Sequence, residues 1–254
     1  MTAVLGMVTC CSLLYAADGQ VIFEDDFNRA DAEVVGSGWM TSGTAALKGK
    51  ALHFQLDDGE FRPRASRTFP RWEGGSFKVS FRFDWLRKDE GTWGFYMQLG
   101  NSAEMPKSLI YERDLAKGVG VNLAWGGRDL IGGEEPGSFG YFNDMKFHNL
   151  FMANDSRAKN TLVDNPVVTL EVDLDAGTYA VGFNGKTYPD IPLENKGPID
   201  TIRFVATGCS KTGFLKSSID DVIVVGGRKP TVAKFIGESD RPATSDPEKV
   251  EKKP

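Results

Sequence analysis

The sequence predicts an all-β protein built as a two-sheet antiparallel β-sandwich. Three observations predict it. Apolar residues recur at every second position over many short segments. Turn-forming residues punctuate those segments. No long segment repeats its apolar residues at the helical period. Strands with one apolar face must bury it, and in this number they bury it against a second sheet.

The strands can be read in order. Phe77, Val79, Phe81, Phe83 and Trp85 share one face of a segment whose other face carries Ser76, Lys78, Ser80, Arg82 and Asp84. Trp93, Phe95, Met97 and Leu99 repeat the pattern opposite Gly94, Tyr96 and Gln98. Val119, Val121, Leu123 and Trp125 repeat it opposite Gly120, Asn122 and Ala124. Later come Val168 to Leu174, then Tyr179, Val181 and Phe183, then Ile202 and Phe204, and a last strand over 219–225. Asn184-Gly185 suits a two-residue type I′ turn, whose central residues need positive φ, so 178–183 and 186–188 read as a hairpin. Residues 101–118 and 126–166 are richer in Gly and polar residues and read as long loops, with a short helix near 112–117.

Composition narrows the class of function. The 254 residues are 41% hydrophobic and 11% aromatic, enough to bury a sizeable core in one large domain. A net charge of -5 gives no attraction for a phosphate backbone, so nucleic acid is no partner. Residues 3–17 carry no charge, end in Ala16-Ala17 and precede polar Asp18, as a signal peptide does; no transmembrane segment remains after it. The expected order is therefore a signal peptide over 1–17, one domain over 18–226 and a charged, disordered tail or linker over 227–254. The protein would then be secreted, periplasmic or on the cell surface. Cys10 and Cys11 leave with the signal, and Cys209 alone forms neither a disulfide nor a metal cluster.

The opening FEDDFNRADAEVVGSGW, the stretch GTAALKGKALHFQL, the segment VTLEVDLDAGTYAVGFNGK and the closing SIDDVIV occur in an order that resembles a known group. It is the concanavalin A-like (laminin-G-like) jelly-roll domain of secreted bacterial proteins. The opening match rests on Asp25, Asp26, Phe27, Arg29, Asp31, Gly38 and Trp39. The resemblance spans about residues 21–226 and implies a jelly roll associated with sugars. It includes lectin-like modules, glucanases, lyases and domains of 3-keto-glycoside hydrolysis, so it leaves the reaction open.

Four constellations follow. The resemblance implies a structural calcium where first and last strands meet, with Asp26 and Asp221 as leading ligands. Glu171, Asp173 and Asp175 alternate onto one side, as the acids of family-16-type glucanases do, though the third acid is Asp instead of Glu. A lyase needs a carboxylate neutraliser and a proton shuttle, for which His148 and Tyr96 stand out; His53 lies in a strand and reads as structural. A sugar-binding face would use Arg82, Tyr96, Gln98 and Asn122 if their strands are neighbours, with Trp125 at a strand end beside a Gly-rich loop.

The reading these residues favour is a secreted module that binds a polysaccharide or glycan without catalysis. Its rivals are a lyase or glycoside hydrolase of the same fold, and a structural or adhesive module. No cofactor beyond calcium is implied.

Overall fold

The computed structural model describes residues 19–56, 62–88, 93–106, 119–126, 138–143, 146–151, 167–183, 186–208 and 214–227. These form fifteen strands in two antiparallel sheets. The eight-stranded sheet holds β1 (Gln20–Asp25), β3 (Ala46–Lys48), β4 (Ala51–Leu56), β6 (Ser76–Lys88), β11 (Val167–Asp173), β12 (Thr178–Phe183), β13 (Lys186–Pro192) and β15 (Phe214–Gly226). The seven-stranded sheet holds β2 (Trp39–Ser42), β5 (Arg64–Trp72), β7 (Trp93–Gly100), β8 (Val119–Gly126), β9 (Ser138–Asn143), β10 (Lys146–Phe151) and β14 (Ile199–Gly208). The first runs β13-β12-β11-β6-β15-β4-β3, with β1 also paired to β15; the second runs β10-β9-β8-β7-β14-β5-β2.

The expected all-β sandwich is what forms, and the period-two pattern is its cause. Phe77, Val79, Phe81 and Phe83 of β6 are buried and meet Phe95 of β7, Trp125 of β8 and Phe204 of β14 across the sheet interface. Phe83 lies 4.9 Å from Phe95 and 4.5 Å from Trp125, centroid to centroid, and Phe81 lies 5.2 Å from Phe204. Each fully buried ring of this kind contributes about 1.5–3 kcal/mol. Val168, Leu170, Val172, Tyr179, Val181 and Phe183 continue the same layer from β11 and β12.

One expectation is corrected and one condition fails. Residues 126–166 are not one long loop, since β9 and β10 form within them as a paired hairpin. Consecutive β6 and β7 do not pair with each other; they lie in opposite sheets. The expected hairpin of 178–183 with 186–188 is present as β12 and β13, with Phe183 opposite Lys186. The expected helix near 112–117, the signal segment 1–17, Cys209, the tail beyond Gly227 and the turn Asn184-Gly185 lie outside the described residues.

The opening motif is one packed unit. Phe27 takes a left-handed φ of 49°, which turns the chain out of β1 and drops its ring into the core. Gly38, at φ 81°, leads into Trp39, whose ring packs against Phe23, Phe27 and Phe204. Asp25 holds the unit together. Its carboxylate accepts from Arg29 Nη1 at 2.6 Å and Nη2 at 3.1 Å, from Trp39 Nε1 at 2.9 Å and from the Phe27 amide at 2.9 Å. Arg67 Nη1 stands 3.7 Å away, with its guanidinium over the Phe23 ring.

Candidate functional site

The outer face of the seven-stranded sheet divides in two. Toward β9 and β10 it is apolar: Tyr96, Ala124 and Val205 cluster with Phe142 and Phe147. Toward β14, β5 and β2 it is hollow, with hydroxyl and guanidinium side chains set among methionine and proline. A cavity of about 360 Å³ opens there, a size at the small end for ligand sites. Alternation explains the lining. Thr201 and Arg203 of β14 point outward while Ile202 and Phe204 enter the core. Arg64, Ser66 and Thr68 of β5 and Met40 and Ser42 of β2 line the cavity beside them.

The last wall comes from the turn after β7. Asn101 starts it: its carbonyl accepts from the Glu104 and Met105 amides, and its side chain accepts from the Ala103 amide at 3.0 Å. Asp200 clamps the turn to β14, accepting from the Ser102 amide at 2.7 Å and the Ser102 hydroxyl at 3.0 Å. Met105 and Pro106 are thereby brought over Arg203. Met40, Thr68 and Ser102 are exposed and form the solvent side; Thr201 and Arg203 form the buried floor.

Arg203 is only 5% exposed, yet among the described residues no carboxylate pairs with it. It donates instead to neutral acceptors. Nε and Nη2 reach Gln98 Oε1 at 2.8 and 2.6 Å, and Nη1 reaches the Pro106 carbonyl at 2.7 Å. Gln98 Nε2 then donates to Asn122 Oδ1 at 3.1 Å. Burial, and then the charge of Arg64, push the Arg203 pKa down to about 10. The guanidinium remains charged at neutral pH and polarises this row of amides.

The residues singled out in the sequence distribute as follows. Gln98 and Asn122 stand together on this outer face, buried behind Arg203. Tyr96 shares the face but is fully buried in the apolar half. Trp125 is not ligand-facing: it is 0% exposed and packs among Phe83, Phe95 and Phe139 in the core. Arg82 does not join them, because β6 lies in the other sheet, where Arg82 Nε meets Asp221 at 2.6 Å. His148 stacks on Tyr141 at 4.8 Å, on the strand side opposite Phe147, so alternation separates it from Tyr96. His53 is half-buried in β4, and burial lowers its pKa.

The acids are similarly placed. Glu171 pairs with Lys78 at 2.8 Å on an exposed face of the eight-stranded sheet. Asp173 accepts from the Ala176 amide at 2.9 Å and Asp175 from the Gly75 amide at 2.9 Å. None of the three lines the cavity. Asp26 accepts from the Asn28 amide. Asp220 has a raised pKa, through burial first and then the nearby charges of Asp221 and Asp26, so carboxylates from both chain ends do approach one another. Arg82 already offsets Asp221, however, and among the described residues no group of three His, Cys, Asp or Glu side chains is placed to hold a metal. The donor set does not fit calcium well.

Sequence reasoning missed Arg203 and the cavity. The signal was present as a single cation alternating with Ile202 and Phe204, but its setting depends on Gln98, more than a hundred residues away.

No protein-family model matches the chain, and no curated protein matches it. Solved structures do. A sialidase superposes with a TM-score of 0.58 at 14% identity, over 82% of this chain and 18% of that one. The Emp47p carbohydrate recognition domain superposes at 0.56 and 14% identity, over 84% of this chain and 99% of that one. The lectin UEA-II complexed with galactose superposes at 0.53 and 9% identity, over 84% and 100%. The chain spans less than a fifth of the sialidase but nearly the whole of the two lectin-type domains. At such identities the likeness is one of fold. The protein has the concanavalin A-like jelly-roll fold that the order of its four motif segments implies.

Proposed function

We propose that this chain is a glycan-binding module that holds a saccharide in the cavity on the outer face of the seven-stranded sheet and performs no reaction there. The observation that carries the reading is the cavity's lining. Ser42, Ser66, Thr68 and Ser102 surround it, Met40 and Met105 supply apolar contact, and Thr201 and Arg203, the latter fixed from behind by Gln98, give it a polar floor. A few convergent polar groups on a pre-formed surface are what sugar hydroxyls need. The lectin-type domains of the same fold support the theme.

The lining also argues against hydrolysis. A retaining or inverting glycosidase needs two carboxyls flanking the bond, and no Asp or Glu among the described residues lines this cavity. Export belongs to the same reading and rests on the uncharged run at 3–17. Calcium has no part in holding the sugar. Because Arg82 already neutralises Asp221, treatment with EDTA should leave the thermal unfolding curve unchanged; a fall in the transition temperature that added calcium reverses would establish the ion.

The test is retention of the purified chain on a panel of insoluble and gel-embedded polysaccharides, read beside assays for new reducing ends and unsaturated uronates. Retention without product is expected. Steady product release would overturn the binding-only reading.

A further inference from the structure

The cavity's charge identifies the class of sugar, an inference that rests on the glycan-binding reading above. Its floor holds the buried Arg203 and its side holds the half-buried Arg64, and no acid among the described residues lines it. This buried cation occurs in a chain whose net charge is -5. Burying a guanidinium without a counter-charge is costly, and a second guanidinium beside it adds to that cost.

Donor arithmetic gives the geometry. A guanidinium carries five N–H groups. In Arg203, Nε and one Nη2 hydrogen are used on Gln98, and one Nη1 hydrogen on Pro106. One N–H on each terminal nitrogen therefore has no acceptor among the described residues. Gln98 and Pro106 fix the plane of the group, so these two donors are held in place before any ligand arrives. Arg203 lines the cavity, where an anion would meet both donors.

We propose that the saccharide bound in this cavity is anionic, with a carboxylate or sulfate ester on the sugar seated against Arg203, on the side that Arg64 lines. Neutral sugars satisfy the hydroxyl lining but leave the buried charge unanswered. An acidic sugar supplies the missing counter-ion, and its affinity falls with added salt.

The experiment is affinity electrophoresis of the full chain through gels containing matched polymers: a neutral glucan, a polyuronate and a sulfated glucan. The variants are Arg64→Gln, Arg203→Met and Arg71→Gln. Arg71 pairs with Glu73 outside the cavity, so Arg71→Gln makes the same charge change elsewhere. Retardation by the polyuronate or the sulfated polymer, but not by neutral glucan, is expected, and which acid retards tells the two sources apart. Arg64→Gln should weaken it roughly ten- to a hundredfold while Arg71→Gln leaves it unchanged. Arg203→Met should abolish it while a cooperative thermal transition shows the protein folded; if that variant does not fold, Arg64→Gln decides alone. Equal retardation by neutral and acidic polymers, or equal losses in Arg64→Gln and Arg71→Gln, would overturn the acidic preference and leave the glycan-binding reading standing. No retardation by any polymer would overturn both.

Discussion

At one end of the sandwich a buried carboxylate, Asp25, is met by two arginines, an indole and a backbone amide. On the outer face of the seven-stranded sheet a buried guanidinium, Arg203, is met by an amide oxygen and a carbonyl, with another guanidinium beside it. The first charge is fully answered within the chain; the second is oriented but not neutralised. The difference separates groups that hold a fold together from groups held ready for something outside it. Asp25 shows the first case in its acidity. Burial alone would raise its pKa, but the hydrogen bonds from Arg29, Phe27 and Trp39 outweigh burial and hold it below the usual carboxylate value.

The contrast breaks most readily at Asp25. Asp25→Ala leaves Arg29, Arg67 and the Trp39 indole without their common acceptor and should cost about 3–5 kcal/mol in urea denaturation. A loss under about 1 kcal/mol would mean that the cluster is decorative. Arg203→Met should behave differently. It strands the Gln98 and Pro106 oxygens, yet it also removes an uncompensated buried charge, so the net loss should not exceed about 2 kcal/mol. A collapse as large as that of Asp25→Ala would make Arg203 a fold residue and erase the distinction.

Acid sharpens the same comparison. Because the folded pKa of Asp25 is depressed, its contribution is fully present above the unfolded value near 3.8 and disappears as pH falls through the lower, folded value. Asp25→Asn should therefore lack the part of the acid-unfolding slope below pH 3.8 that the parent shows, read by stability against pH. Arg203, whose pKa is about 10, should contribute no slope between pH 4 and 8. The smallest effect belongs to Glu171, whose pair with Lys78 is exposed: Glu171→Gln should change stability by less than about 0.5 kcal/mol and leave glycan retention intact.

Most of the fold was legible because burial here follows the two-residue period. Phe77 to Phe83, Val168 to Val172 and Tyr179 to Phe183 point inward as their alternation requires. The opening motif was legible as a pattern, and its physical content is the Asp25 cluster. The strands β9 and β10 were hidden because Gly140 interrupts the apolar rhythm; a Cβ there would come within 2.1 Å of the His148 carbonyl oxygen, so close strand packing demands glycine. The site was less legible for a different reason. Alternation places Arg82, Tyr96, Gln98 and Asn122 on outward faces correctly, but it does not say which sheet each strand joins or what covers that face. Trp125 kept step with its core neighbours, and that rhythm was a better guide than the glycines that follow it.

The order of strands within the sheets carries a kinetic consequence. Among the described strands of each sheet, the one that joins the two halves comes last. β15 separates β6 from β4 and is the partner of β1, while β14 separates β7 from β5. A nascent chain lacking residues 199–226 can pair only fragments: β3 with β4, β13-β12-β11-β6 as one run, β10-β9-β8-β7 as another, and β2 with β5. Neither sheet is complete until β14 and β15 emerge, and their pairings join residues far apart in sequence, which makes them slow to form. The sandwich must therefore remain incompletely paired until residues 199–226 have been made, and its two sheets are completed only after the other described strands are present.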